Sequence, residues 1–245
     1  MAGRARDGGA GVVGVVGARG GAGASVVASL LAARLARRGP TALVDAGPGP
    51  SLDTLLGLEE HPGLRWPDLG GAVGRVDPAL LAGNLVRWAG CGVLATDDGR
   101  PGPPPASVVP DVLEALAAAH RSVVLDLHRA AVLGRTDPDL VTACRTVLVV
   151  VPRDVPGVAG ARLLRAAVVG DGRRAGLVVR APAPGGLGVD EVGAAVGLPV
   201  VAALPWARGL GAAVDHGAGP AAGTVLARAV ERLAARVADG TAGSR

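Results

Sequence analysis

Chemistry could begin at one stretch near the start of the chain. The apolar run Val12-Val13-Gly14-Val15-Val16 leads into Gly17-Ala18-Arg19-Gly20-Gly21-Ala22-Gly23-Ala24-Ser25, and helical spacing of apolar residues follows at once. A glycine-rich turn feeding a helix N-terminus aims several backbone N–H groups at one point. The helix dipole favours negative charge there, so phosphate is the usual occupant. The glycines carry little weight alone: with 40 in 245 residues, three at fixed spacing arise on the order of once by chance. Context adds to them. Ser25 supplies a hydroxyl in the first turn, and two aspartates close apolar runs, Leu43-Val44-Asp45 and Val123-Val124-Leu125-Asp126. Ligands of open parallel sheets collect outside the carboxyl ends of the strands, so loop and aspartates would converge. The residues also fit a plainer reading, in which the glycines form a bare turn, Ser25 is an ordinary helix residue and the aspartates cap following segments.

The elements that must position these groups alternate. Short β-branched runs recur at Gly11–Val16, Thr41–Val44, Gly92–Thr96, Ser122–Leu127, Thr146–Val151, Gly176–Arg180 and Pro199–Leu204. Helical spacing predicts helices over Ala24–Arg38, Val108–His120, Arg135–Arg145, Val158–Val169, Val189–Val196 and Ala221–Ala238. Gly39-Pro40 stops the first of these, and Thr136 or Asp137 with Pro138 opens the third. Continuously apolar strands alternating with helices predict an α/β fold, a doubly wound, mostly parallel sheet with helices on both faces. A single domain is expected over residues 11–238, with residues 1–10 and 239–245 flexible, as are Asp97–Pro105 and Ala181–Gly188.

Composition removes several function classes. An apolar fraction of 49% excludes intrinsic disorder. All 25 cationic residues are arginine, so chemistry that needs a lysine ammonium, including Schiff-base formation, is excluded. The net charge is +4 and no arginine run exceeds two residues, which reads as a solvated surface rather than a nucleic-acid stripe. Cys91 and Cys144 lack metal-ligand or redox spacing and read as buried small hydrophobes in a reducing compartment. The N-terminal stretch Ala10–Ala18 is short and glycine-rich, fitting a first strand better than an export signal. The longest later uncharged stretch, Val192–Ala207, contains Pro199 and Pro205 and fits no spanning helix. Trp66, Trp88 and Trp206 are expected as core or interface plugs, His128 as an exposed loop residue, and the last helix as docked on the core.

The loop Arg19-Gly20-Gly21-Ala22-Gly23-Ala24-Ser25 resembles the deviant Walker A of the MinD/ParA group of P-loop ATPases, whose pattern is Lys-Gly-Gly-x-Gly-Lys-Ser/Thr. Asp45 matches the first switch I aspartate, and Ser51-Leu52-Asp53-Thr54-Leu55-Leu56-Gly57-Leu58-Glu59 resembles the stretch after it. Asp126-Leu127-His128-Arg129 stands at the Walker B and switch II position, and Leu204-Pro205 with Ala213–Gly217 resembles the segments flanking the adenine. With Gly63-Leu64-Arg65-Trp66-Pro67-Asp68-Leu69, the likeness is strongest to the actinobacterial CpaE/TadZ-like branch, often called septum site-determining protein Ssd. Relatives of that branch usually carry an N-terminal receiver-like domain, which the resemblance does not include; a short paralogue or a late gene start would account for that.

The resemblance implies ATP or ADP with Mg²⁺, held by Arg19, Gly20, Gly21, Gly23, Ala24, Ser25, Asp45, Asp126 and Pro205, with Ser25 and Asp126 toward the metal. Three departures weaken catalysis. Arg19 stands for the signature lysine, Ala24 for the lysine on the β/γ-phosphates, and Gly47 for the second aspartate that orients water. Phosphoryl transfer depends on positioning and charge stabilisation, so losing both the cation and the carboxylate leaves little hydrolysis. The expected function is a positioning or scaffolding protein for septum placement or Tad-type pilus or secretion assembly; the alternative is a slow ATPase cycling between monomer and ATP-bound dimer. The resemblance implies cell-division or pilus/secretion partners and a homodimer, while the modest, dispersed charge makes a DNA-binding reading on ParA lines the weaker one and predicts no specific nucleic acid. It also implies a cytoplasmic location, with recruitment to the inner membrane face through partners.

Overall fold

The computed structural model describes residues 11–48, 50–72, 74–134, 139–170 and 172–240. Its first strand, β1 (Gly11–Gly17), lies inside the sheet rather than at an edge. The other strands are β2 (Thr41–Ala46), β3 (Val86–Trp88), β4 (Cys91–Leu94), β5 (Ser122–Leu127), β6 (Thr146–Pro152), β7 (Arg174–Arg180) and β8 (Val200–Leu204). They form one eight-stranded sheet in the order β3-β4-β2-β5-β1-β6-β7-β8, parallel except for the β3–β4 pair. Such strands are apolar along their whole length because helices cover both faces.

One face packs on α1 (Ala24–Ala36) and α11 (Thr224–Ala238), where Val13, Val15, Leu31, Leu43, Val124, Val230 and Leu233 share a core. The opposite face packs on α5 (Val109–Ala119), α8 (Val155–Val168) and α9 (Val189–Val196), around Val16, Val44, Leu116, Leu125, Val149, Leu164 and Leu177. The fold is thus the three-layer, doubly wound α/β arrangement that the alternation predicts. Shorter helices are α2 (Leu52–Leu56), α3 (Trp66–Leu69), α4 (Pro78–Asn84), α6 (Arg129–Val132), α7 (Asp139–Thr142) and α10 (Leu210–Asp215). In α11, Leu226, Ala229, Val230, Leu233, Ala234 and Val237 are buried and Arg38 pairs with Glu231 at 2.7 Å, so the last helix is docked on the core.

Several boundaries depart from the periodicity. The edge strand β3 carries too few residues to show alternation. It turns into β4 through Ala89 and Gly90, at φ 45° and 88°, the paired positive values of a type I′ hairpin. Helix α8 begins at Val155, ahead of its apolar spacing, because the Asp154 carboxylate accepts the Gly157 N–H at 2.7 Å and Pro156 pre-sets the first turn. Helix α11 starts at Thr224, after Gly223. The proposed cap and first-turn proline of the helix over Arg135–Arg145 lie outside the described residues, as do residues 1–10 and 241–245 of the expected flexible ends. The Asp97–Pro105 stretch is tied down: Arg100 pairs with Asp68 and Asp97 at 2.6 Å each, and Asp98 accepts from Ser51 N–H and Thr54 hydroxyl. Cys91 and Cys144 are both buried and free, their thiols pushed up to about 12 by burial. Trp66 is buried, but Trp206, expected as a plug, is 58% exposed.

Candidate nucleotide-binding cleft

Strand β1 runs out into the glycine loop at the carboxyl edge of the sheet, between β5 and β6. The loop is fixed at both ends. Ala18 N–H donates to the Val150 carbonyl at 2.9 Å, and Ala22 N–H closes a turn onto the Arg19 carbonyl at 3.2 Å. Gly23 then starts α1 at φ 82°, a left-handed conformation that favours glycine. Helix α1 begins with no side-chain cap and no acidic residue in its first turn, so its N-terminal dipole is not offset from within.

A cavity of about 640 Å³ opens on this loop, lined by Gly17, residues 19–26, Asp45, Gly47, Pro50, Asp126, Leu127, His128 and Arg129. The structure therefore brings Arg19, Gly20, Gly21, Gly23, Ala24, Ser25, Asp45 and Asp126 to one cleft. Pro205 lies elsewhere, in a neighbouring cavity of about 390 Å³ with Val27, Leu30, Arg180 and Trp206; Val26 lines both.

Two carboxylates line the cleft with the loop. Asp45 and Asp126 are register partners on β2 and β5, so their side chains share one face. The Asp45 carboxylate is buried and occupied: it accepts Leu52 N–H at 3.0 Å, Thr96 hydroxyl at 2.9 Å and Gly47 N–H at 3.3 Å. Burial raises its carboxyl above the usual carboxylate range, and those hydrogen bonds oppose the shift. Asp126 makes a side-chain hydrogen bond with Ser25. Burial pushes its carboxyl up to about 7, the Ser25 bond pulling it down and the Asp45 charge pushing it further up. Hydroxyl and carboxylate oxygens together are the hard-oxygen set that suits Mg²⁺, although no cluster of three or more acidic, histidine or cysteine ligands exists among the described residues.

The arginine in the loop has a partner of its own. Arg19 grips Asp154 with Nη2 at 2.6 Å and Nε at 3.4 Å, and donates from Nη1 to the Gly20 carbonyl at 3.0 Å. Asp154, at the start of α8, went unnoticed in the sequence because its partner stands 135 residues away. Arg180 was missed as well. It closes β7, and its Nη1 donates to the Ala22 carbonyl at 2.5 Å, so close to the loop that a Cβ on Gly23 would come within 1.7 Å of it. The rule that drew attention to Asp45 and Asp126, a charged residue ending a strand, also applies to Arg180. At Gly47 the missing second carboxylate has a steric counterpart: a Cβ there would stand 3.0 Å from the Cβ of His128. His128 itself is exposed, as expected, and caps α6 by accepting Ala130 N–H at Nδ1, 3.3 Å.

The Arg65-Trp66-Pro67-Asp68-Leu69 segment supports the cleft from behind. Trp66 Nε1 donates to the Asp45 carbonyl at 2.7 Å. Arg65 is buried, pairs with Asp53 at 2.8 Å and donates to the carbonyls of Leu58, His61 and Gly63.

No family model matches the chain. An uncharacterized protein of Mycobacterium tuberculosis, found in two strains, is 36% identical over 207 residues, covering 84% of this chain and 57% of that protein. The chain thus spans little more than half the length of the curated relatives it matches. Among solved structures, a ParA family ATPase from Chlorobium tepidum superposes with a TM-score of 0.77 at 16% identity, covering 92% of this chain and 97% of that one. The MinC:MinD cell division protein complex of Aquifex aeolicus gives 0.72 at 18% identity, covering 93% and 95%. The septum site-determining protein MinD of Pyrococcus horikoshii, complexed with Mg-ADP, gives 0.69 at 14% identity, covering 92% and 95%. The chain has the P-loop fold of the MinD and ParA proteins.

Proposed function

We propose that this chain is a spatial-positioning or scaffolding protein of the CpaE/Ssd type, which binds a nucleotide in a degenerate P-loop and hydrolyses it slowly or not at all. The observation that carries this reading is an asymmetry within one cleft. The backbone cradle and the Ser25–Asp126 pair are present, while position 24 has no cation and position 47 has no carboxylate, a Cβ there standing 3.0 Å from the His128 Cβ.

In this reading the N–H groups of Gly20, Gly21, Gly23, Ala24 and Ser25 hold the phosphates, and Ser25 with Asp126 faces Mg²⁺. The metal, when bound, neutralises phosphate charge. The chain's own residues bind and orient, and among the described residues of the cleft Asp45 and Arg19 are already committed. Asp45 is bound to three donors, and Arg19 is held by Asp154 in the same protomer. That commitment favours scaffolding over the alternative, a slow ATPase in which Arg19 serves as the signature cation.

The occupant is ATP or ADP, as the Mg-ADP complex of the Pyrococcus horikoshii relative in fold supports. The partners we propose are cell-division or pilus/secretion proteins and a second copy of the chain, consistent with a MinD of this fold in complex with MinC. No helix among the described residues is long and apolar enough to cross a membrane; recruitment to the inner face from the cytoplasm would run through partners.

The test is calorimetric titration with MgATP, with phosphate release followed on the same sample. Binding with turnover at least ~10³-fold below that of a lysine-containing relative is expected, the scale of one lost charge-stabilising group. Robust turnover abolished by Arg19→Ala would establish the ATPase alternative instead.

A further inference from the structure

Three arginines stand around the loop, and two are engaged. Arg19 is bound by Asp154 and Arg180 by the Ala22 carbonyl. Arg129 differs. It lines the 640 Å³ cleft together with the loop glycines. Its Nε is buried with no hydrogen-bond partner, and it forms no ion pair among the described residues. That nitrogen is enclosed by protein, so a ligand in the cleft would meet the terminal Nη groups of Arg129, to which the described residues likewise give no hydrogen bond or ion pair.

The surroundings specify the ligand's charge. Arg129 follows Asp126 by three residues and is the first residue of α6, whose His128 cap fixes where the turn leaves β5. The same cleft is lined by the loop residues and the uncapped start of α1. A guanidinium and a helix N-terminus in one cleft both favour an anion. Arginine's planar fork suits phosphate oxygens, which it can bind two at a time. Buried Asp45 and half-buried Asp126 line the same cleft, and among the described residues Arg129 is the cleft-lining arginine that has no partner.

We propose that Arg129 is the phosphate-binding cation of this site, supplying from the turn after β5 the charge that position 24 of the loop does not. This rests on the nucleotide-cradle reading above and adds to it a specific residue and the part of the ligand it holds, the terminal phosphates.

The test titrates the full chain with MgADP and, separately, with Mg-tripolyphosphate, by calorimetry. Arg129→Gln keeps the stem and removes the charge. It is expected to weaken both probes about 10- to 100-fold, the scale of a lost hydrogen bond to a charged group. Arg129→Lys, which keeps the charge without the planar fork, should recover only part of that loss. Arg75→Ala, which removes one positive charge from a remote exposed pair, should leave both affinities unchanged. Parental binding unaltered in Arg129→Gln overturns the assignment and leaves the cradle reading standing. So does equal weakening by Arg75→Ala, which would reduce the effect to net charge. Absence of binding of either probe to the parent at millimolar concentration overturns both readings. Unfolding midpoints show whether each variant is folded; should Arg129→Gln fail to fold, Arg129→Ser replaces it with the same expectations.

Discussion

Arg19 and Asp154 close a two-point ion pair that ties the glycine loop to the start of α8. Nη2 meets Oδ2 at 2.6 Å, while Oδ1 of the same carboxylate receives Arg19 Nε at 3.4 Å and the Gly157 N–H at 2.7 Å. The aspartate therefore does two jobs and the arginine one. Both side chains are about a third exposed, so the ion pair contributes at most ~1 kcal/mol. Urea unfolding should show Asp154→Ala costing about 1–2 kcal/mol, since it loses the cap as well. Arg19→Ala should cost less than ~1 kcal/mol. Equal losses would mean that the cap contributes nothing.

Restoring the second switch carboxylate should fail when done alone. A Cβ at position 47 stands 3.0 Å from the His128 Cβ, and the Asp45 carboxylate already uses the Gly47 N–H. Gly47→Asp is expected to destabilise the fold by about 1–2 kcal/mol, the scale of modest overpacking, without raising phosphate release. Adding His128→Gly should recover most of the stability. A stable single variant with turnover above the parent would contradict this.

Asp126 makes stability depend on pH in an unusual direction. Its folded carboxyl titrates near 7, above the ordinary unfolded value of ~3.9, so the native state holds a proton that the unfolded state has released. Stability from this group is therefore lost as pH rises from about 4 to about 7 and is level above that. Asp45, raised by burial, acts in the same direction, while buried His120, lowered by burial, opposes both near its own titration. Comparing Asp126→Asn with the parent removes the shared contributions. The variant should be the more stable at pH 8, and its advantage should shrink toward pH 5. Denaturation midpoints across that range report it, and a constant difference would refute the Asp126 assignment.

The buried Arg65–Asp53 pair predicts a large effect far from any ligand. Arg65 pairs with Oδ2 of Asp53, whose buried Oδ1 has no hydrogen-bond partner, and donates to three carbonyls, and its neighbour Trp66 holds the Asp45 carbonyl. Truncation to Ala leaves a buried carboxylate without its cation, which typically costs 3–5 kcal/mol. Arg65→Ala should lose about that much in urea unfolding. A loss below ~1 kcal/mol would mean that this segment serves something other than the fold.

Much of this was legible in the sequence where the signal is local. Strand β5 and helix α9 fall on the residues that periodicity indicates, and the glycine loop lies between β1 and α1 as its composition requires. Asp45 and Asp126 stand together because a parallel sheet aligns strand ends. Partners distant in the chain were not legible. Nothing in the spacing of Arg19 and Asp154, or of Arg180 and Ala22, tells that they touch. The same applies to Gly47 and His128, whose contact depends on two strand-end turns meeting. Pro205, which the resemblance places in the segment flanking the adenine, lines the adjoining cavity beside Arg180 and Trp206.

The most direct test of the account is a ¹⁵N–¹H spectrum of the labelled chain titrated with MgADP. If the glycine loop is a working anion cradle, the amides of Gly20, Gly21, Gly23, Ala24 and Ser25 should shift together, with one dissociation constant and at sub-millimolar ligand. Amides remote from the cleft, such as those of α4 and α5, should stay in place. A loop whose amides remain unmoved at millimolar MgADP would contradict the account and leave the turn as architecture alone.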